Sequence, residues 1–443
     1  MNKMSRLTSI EIRRIFLDYF QKNNHRIIES VSLVPVNDPT LLVVNSGMAP
    51  LKPYFTGERI PSSPRLCNIQ KCLRTDDIES VGDRHHLTFF EMMGNWSIGD
   101  YFKERAIKLA WELIKDIFGF DTSQLYVTVF GGDSKMPDIS SDEESFKIWQ
   151  QIGISEEKIV PLGMKSNFWG PAGTIGPCGP CTEMFIDRGV ELGCRKENCG
   201  PDCDCGRFLE IWNAGVFMQY YLHGDGSLTE LPLKSVDAGA GLERFAVILQ
   251  GVDSVYETDL LAPITEKVLS GADDSTKIRS IRIIVDHIRG VSFMVADGVL
   301  PANIGREYVL RRLLRRTFLH ANLLGIQLEE IVNLAMTVVT MFAQFYPELE
   351  RNRETIKYVI SAESDNFEQT MRRGRRELEK VLSHSPSIIK GEDAFRLQDT
   401  YGFPFGLTSE VAKERGLQLD EEGFKVCLEE QRKRSRLKRG CKS

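Results

Sequence analysis

Residues 73–76, Leu-Arg-Thr-Asp, and residues 85–95, His-His-Leu-Thr-Phe-Phe-Glu-Met-Met-Gly-Asn, are separated by a turn-rich loop and read as the two arms of a hairpin. Arg74 ends the first arm; His86 and Phe90 open the second. A guanidinium, an imidazole and an aromatic ring then share one face. That face suits a nucleotide, because the fork of Arg74 can pair with a phosphate and Phe90 can stack on a base. Other strand-like runs, Thr40 to Val44, Leu87 to Met92, Tyr126 to Phe130 and Phe208 to Trp212, show no regular βαβ rhythm and no glycine-rich phosphate loop after the first strand. The expected fold class is therefore α+β, an antiparallel sheet flanked by helices, and not a doubly wound dinucleotide fold.

A second stretch lies far downstream: Asp237-Ala238-Gly239-Ala240-Gly241-Leu242-Glu243-Arg244, followed by apolar residues 245–249. Its glycines let a backbone approach a ligand closely, and Arg244 at a helix start can cover a base or a terminal phosphate. Each stretch alone is a weak signal, since Gly-x-Gly is common and Phe-Phe is usually core.

Toward the N-terminus, residues 8–11, Thr-Ser-Ile-Glu, form a capping box ahead of Ile12, Ile15, Phe16, Tyr19 and Phe20 at helical spacing. Past about Gly251 the strands thin out and long helical patterns take over, from Tyr308 to His320 and from Asn352 to Leu382. Two domains are expected, 1–250 and 251–443. In the second, Arg311, Arg312, Arg315 and Arg316 form a basic stripe beside Leu310, Leu313, Leu314 and Phe318, and residues 432–439 are strongly basic. In a chain whose net charge is −6, positive charge gathered there offers a polyanion-facing surface; a solvated helix and a frayed tail are the plain alternative.

The chain has 443 residues with 42% hydrophobic and 27% charged residues, which excludes disordered, collagen-like and coiled-coil rods. No apolar run reaches the ~18–20 residues that a membrane span needs, and residues 1–6 lead into an amphipathic segment, so a cytoplasmic protein without membrane contact is expected. Six of ten cysteines crowd between Cys178 and Cys205. In a cytosolic chain this reads as a metal site. Cys194, Cys199, Cys203 and Cys205 are favoured as structural Zn²⁺ ligands; reduced, unligated thiols are the alternative.

In this order the stretches resemble the second and third signature motifs of class II aminoacyl-tRNA synthetases. Longer segments, residues 38–48, 86–102, 176–183 and 235–245, look like the catalytic core of the alanyl-tRNA synthetase family, and residues 298–316 and 397–404 are similar to its tRNA-recognition region. The resemblance implies an alanine–tRNA ligase that uses ATP and Mg²⁺ to form alanyl-adenylate and transfers alanine to the 3′ end of tRNA(Ala). It assigns Arg74 to the α-phosphate and the reacting carboxylate. Asp76 and His86 go to the base and outer phosphates, and Phe90 and Arg244 to the two faces of adenine. Asp237 would hold the substrate ammonium, with Met92, Trp169, Asn213, Val216 and Gly239 forming a small alanine pocket. Two departures are visible: residues 212–217 are one residue longer than the family pattern, and Ala238 stands where threonine is frequent.

The same resemblance implies that Asn303 and Asp399 read an acceptor-stem G·U pair, while Arg311, Arg312, Arg315 and Arg316 contact phosphates. It further implies that the editing and C-terminal domains of longer family members are not represented. Serine and glycine should then leak through, because one methyl group gives only ~1–3 kcal/mol of discrimination. A monomer is expected. A carrier protein as the alanine acceptor, or an RNA-binding relative without catalysis, are competing readings; Asn303, Asp399 and the basic helix oppose the first, and Arg74, His86, Asp237 and Arg244 oppose the second.

Overall fold

The computed structural model describes residues 6–134, 136–272, 276–384 and 387–440. Most of residues 1–6, Cys441, and the side chains of the basic run 432–439 fall outside what is described.

Nine strands form one sheet: β1 Arg26–Ile27, β2 Arg65–Leu73, β3 Phe89–Ser97, β4 Leu125–Phe130, β5 Ile159–Leu162, β6 Phe168–Trp169, β7 Gly176–Asp187, β8 Phe208–Leu222 and β9 Leu228–Gly241. Their order is β1-β2-β3-β9-β8-β7-β4-β5, with β6 beside β7. The middle of the sheet is antiparallel as expected, but the edge pairs β1–β2 and β4–β5 are parallel, so the sheet is mixed. A parallel pair needs a long crossover, and the helix Glu143–Ile152 lies in the connection from β4 to β5.

The first helix, Ser9–Lys22, starts as its sequence dictates: Thr8 Oγ1 accepts from the Glu11 amide at 3.3 Å, and the Glu11 carboxylate accepts from the Thr8 amide at 2.8 Å. Ile12, Phe16, Tyr19 and Phe20 are buried. By contrast, Thr40 to Val44, read above as a strand, is irregular. Asp38 Oδ1 accepts from both the amide and the hydroxyl of Thr40, which holds the segment in a turn directly after Pro39. Leu41, Val43 and Val44 are buried as loop anchors, so their apolar character reports burial and not a ladder.

The helical part is larger than its sequence signals: Gly305–Leu323 and Arg353–His384 extend the patterns noted above, and Ile278–Ala296 is buried along almost its whole length. That helix lies against β3, where the Phe89 and Phe293 rings stack at 4.2 Å. One cluster of buried apolar side chains runs from Ile12 to Phe424, so residues 1–250 and 251–443 share a core.

At the seam sits a buried ionic node. Glu91, in β3 and fully buried, pairs with Arg13 and with Arg289 (2.8 Å) and accepts from the Tyr346 hydroxyl at 2.6 Å. Arg289 also meets Glu243 at 2.6 Å and lies 4.7 Å from the ring centres of both Phe89 and Phe342. Burial alone would raise the Glu91 carboxyl; Arg13 and Arg289 outweigh it and hold Glu91 below the usual carboxylate range. Removing one partner of such a node leaves a buried charge uncompensated. Arg289→Ala should therefore lower stability by about 3–5 kcal/mol, read as the urea midpoint, and Arg289→Met combined with Glu243→Leu should recover part of the loss. An unchanged midpoint for Arg289→Ala would contradict this role.

Candidate active site

The central strands open onto a cavity of about 300 Å³. Of the residues assigned above to nucleotide and amino acid, Arg74, His86, Phe90, Met92, Trp169, Asn213, Val216, Asp237, Gly239 and Arg244 line it. Asp76 does not: it lines a neighbouring cavity that shares Arg74 and Trp169, and Asp77 occupies the wall of the central one.

Strand register explains the convergence. Between β3 and β9, Gly94 faces Gly239 and Trp96 faces Asp237; between β9 and β8, Gly239 faces Asn213 and Asp237 faces Val216. Two residues of β8, Ala214 and Gly215, therefore oppose Ala238 alone, which is a β-bulge. Simple alternation would put Asn213 and Val216 on opposite faces, and the bulge brings both to the cavity. A Cβ at Gly239 would fall 2.8 Å from the Met93 carbonyl oxygen, so the floor demands glycine.

Asp237 accepts from the Trp96 indole at 2.7 Å, and its carboxyl is pushed up to about 7 by burial, with the indole hydrogen bond opposing the rise. The Arg74 guanidinium lies 4.8 Å from the Phe90 ring centre and donates from Nε to the Asn45 carbonyl at 3.3 Å. Asp83 organises the loop before β3: Oδ1 accepts from the amides of His85 (3.0 Å) and His86 (2.8 Å), and Oδ2 meets His86 Nδ1. That carboxylate raises the His86 imidazole, whereas burial pushes His85 down to about 4.

Sequence reading passed over Glu183 and Glu210. Arg244 pairs with Glu210 at 2.8 Å, and Asn213 donates to Glu183 at 3.2 Å. Burial first and the Glu210 charge second push Glu183 well above the usual carboxylate range. Two carboxylates that repel each other on the wall of one cavity are a donor set that suits a divalent cation such as Mg²⁺. The signal for Glu210 was a lone acid inside an apolar strand, Phe208-Leu209-Glu210-Ile211-Trp212.

The Sγ atoms of Cys194, Cys199, Cys203 and Cys205 all lie within 4.8 Å of one another, with Cys194–Cys203 at 3.7 Å and Cys199–Cys205 at 3.6 Å. Zinc thiolates at about 2.3 Å in a tetrahedron have edges of about 3.8 Å, which this set matches. Cys178 and Cys181 are buried in β7, outside the group. At Gly206, where φ is +87°, a Cβ would lie 3.8 Å from His85 Cε1, so the thiol loop abuts the His85–His86 loop.

On the helical side Asn303 and Asp399 are exposed. Three of the four arginines are engaged by acids: Arg311 by Glu363 at 3.0 Å, Arg312 by Glu79, and Arg316 by Glu79 at 3.0 Å, while Arg315 is exposed. No helix of the described residues is long and apolar enough to cross a membrane.

A family model described as tRNA synthetases class II (A) matches residues 11–443. An alanine–tRNA ligase of Dehalococcoides mccartyi is 44% identical over 438 residues, covering 98% of this chain and 49% of that protein. One of Natranaerobius thermophilus is 46% identical over 437 residues, covering 96% and 48%. The chain thus spans about half the length of these curated relatives.

The Trp96 ring is confined by glycine. A Cβ at Gly94 would come within 2.4 Å of its Cζ2. Gly94→Ala should displace the indole from Asp237 and lower the thermal midpoint. In protein labelled with 5-fluorotryptophan, the ¹⁹F resonance of Trp96 should move; a spectrum identical to the parent would remove this link.

Proposed function

Because the chain belongs to the family of class II tRNA synthetases (A), we propose that it activates alanine with ATP and transfers it to the 3′ end of tRNA(Ala), selected by a G·U pair in the acceptor stem. The observation that carries the proposal is the meeting of Arg74, Arg244 and Asp237 on one small cavity from positions far apart in the chain.

In this reading Asp237 holds the alanine ammonium, and Met92, Trp169, Asn213, Val216 and Gly239 leave room for a methyl group. Arg74 steadies the α-phosphate while an alanine carboxylate oxygen attacks phosphorus and pyrophosphate leaves. Phe90 offers adenine the ring face that Arg74 does not cover, Arg244 closes the other side, and His86 meets the base and outer phosphates, with Asp76 in the neighbouring cavity. A divalent cation at Glu183 and Glu210 supplies charge neutralisation when bound. The terminal ribose hydroxyl of the tRNA then attacks the activated carbonyl and AMP departs. No protein nucleophile is needed; positioning and electrostatics lower the barrier. Free thiols at the described cysteines fit a cytoplasmic setting.

On the helical side we assign Asn303 and Asp399 to the G·U pair and Arg315 to phosphate. Zn²⁺ at Cys194, Cys199, Cys203 and Cys205 would order a loop that lacks a core of its own.

Alanine-dependent ATP–pyrophosphate exchange, followed by a charging assay with tRNA(Ala), tests the proposal; exchange that does not respond to alanine overturns it. The pH dependence is sharper. The ammonium needs an ionised partner, and the Asp237 carboxyl is neutral below about pH 7. The KM for alanine should stay flat above pH 7 and rise about tenfold per unit below it, whereas Asp237→Asn should bind weakly at every pH. A KM constant from pH 8 to pH 5.5 speaks against Asp237. For the thiol loop, elemental analysis should find about one zinc per chain, falling below half in Cys199→Ser/Cys205→Ser; under one zinc per two parent chains rejects the metal.

A further inference from the structure

Arg311, grouped from its sequence with the phosphate-contacting arginines, is turned inward. Its Nη1 donates to Asn303 Oδ1 at 2.5 Å, and its Nη2 donates to the Pro301 carbonyl and to Glu363 Oε1, both at 3.0 Å. Glu363 is only 7% exposed, so the guanidinium is moored from the far side by a buried carboxylate. Arginine has donors and no acceptor, hence the amide oxygen of Asn303, and not its nitrogen, must face Arg311. The Nδ2 group has no protein partner among the described residues, and Asn303 itself is exposed. Around it Leu300, Ile304 and Tyr308 are 55%, 79% and 50% exposed, an uncovered apolar rim beside one fixed amide.

We propose that Arg311 is a specificity-determining positioning residue: it clamps the Asn303 carbonyl so that this side chain turns its Nδ2 donors to the acceptor stem. The inference rests on the reading of Asn303 as a base-pair reader. Its physical content is a restriction. A free asparagine can rotate to accept or to donate and so tolerates either pattern on a base edge; one whose Oδ1 is turned to and held by Arg311 keeps its Nδ2 outward and so favours an acceptor or a 2′-hydroxyl. Asp399, which when ionised can only accept, supplies the opposite polarity. Two side chains of fixed and opposite polarity discriminate between base pairs better than two adaptable ones, because the wrong pair leaves a desolvated group unpaired.

The test compares kcat/KM for charging tRNA(Ala) carrying G·U with that for the same tRNA carrying G·C at that position, for the parent chain, Arg311→Gln and Glu363→Gln. The ratio of the two substrates cancels any loss of folded protein. With Arg311→Gln the G·U preference should fall at least tenfold, while the slope of log(kcat/KM) against log salt stays as in the parent. Glu363→Gln, which loosens the mooring but keeps Arg311, should lower the preference by a smaller factor. An equal decline on both tRNAs with a salt slope reduced by about one would mark Arg311 as a phosphate contact and overturn the inference. So would an unchanged ratio in both variants. A parent chain that charges both tRNAs alike would instead overturn the assignment of Asn303 on which the inference stands.

Discussion

Arg289 sits at the crossing of everything the site needs. Held between Glu91 and Glu243 and sandwiched by Phe89 and Phe342, it ties β3, the helix that follows β9, and the helical layer behind the sheet. Pleating makes the tie consequential. In β3 the side chain of Glu91 turns to the node while its neighbours Phe90 and Met92 line the cavity, and after β9 Glu243 is followed at once by Arg244. A charge that cannot be moved cheaply behind the sheet thus sets the place of the groups in front of it. Such nodes contribute little net stability compared with apolar packing; here its value is register.

The cavity's small size has a similarly local origin. Gly94 and Gly239 face each other across two strands, Trp96 fills the space a side chain at Gly94 would take, and the bulge at Ala214 and Gly215 turns Val216 inward next to Asp237. Burial makes ionisation of Asp237 costly even against the hydrogen bond from the Trp96 indole, so the carboxyl is poised to be ionised by an arriving cation. Under the proposed function, selectivity for a small zwitterion and sensitivity to mild acid then follow from one arrangement.

Much of this was legible before any coordinates. The capping box at Thr8, the strand over residues 126–130 and the helices through residues 308–320 and 352–382 follow from local spacing, which is why they were readable. Thr40 to Val44 misled because its apolar residues serve loop burial, and the parallel edges of the sheet were hidden because crossovers leave no short-range mark. The arginines of helix Gly305–Leu323 form a basic stripe in sequence, yet Arg312 and Arg316 spend their charge on Glu79, a residue more than 200 positions earlier. Glu183 and Glu210 escaped notice for the converse reason: a lone acid in an apolar strand marks Glu210, but nothing nearby in sequence names the partners of the two carboxylates, which are Asn213, Arg244 and each other.

Because the core continues from Ile12 to Phe424, swinging the helical layer away from the sheet would expose buried apolar surface. The span from Asn303 to the pocket is then that of a caliper with its jaws locked. Under the proposed reading of Asn303, an RNA whose stem is one base pair too long or too short would present its end out of reach even with the correct pair seated, and length would become a second criterion of identity, enforced by packing and needing no contact of its own.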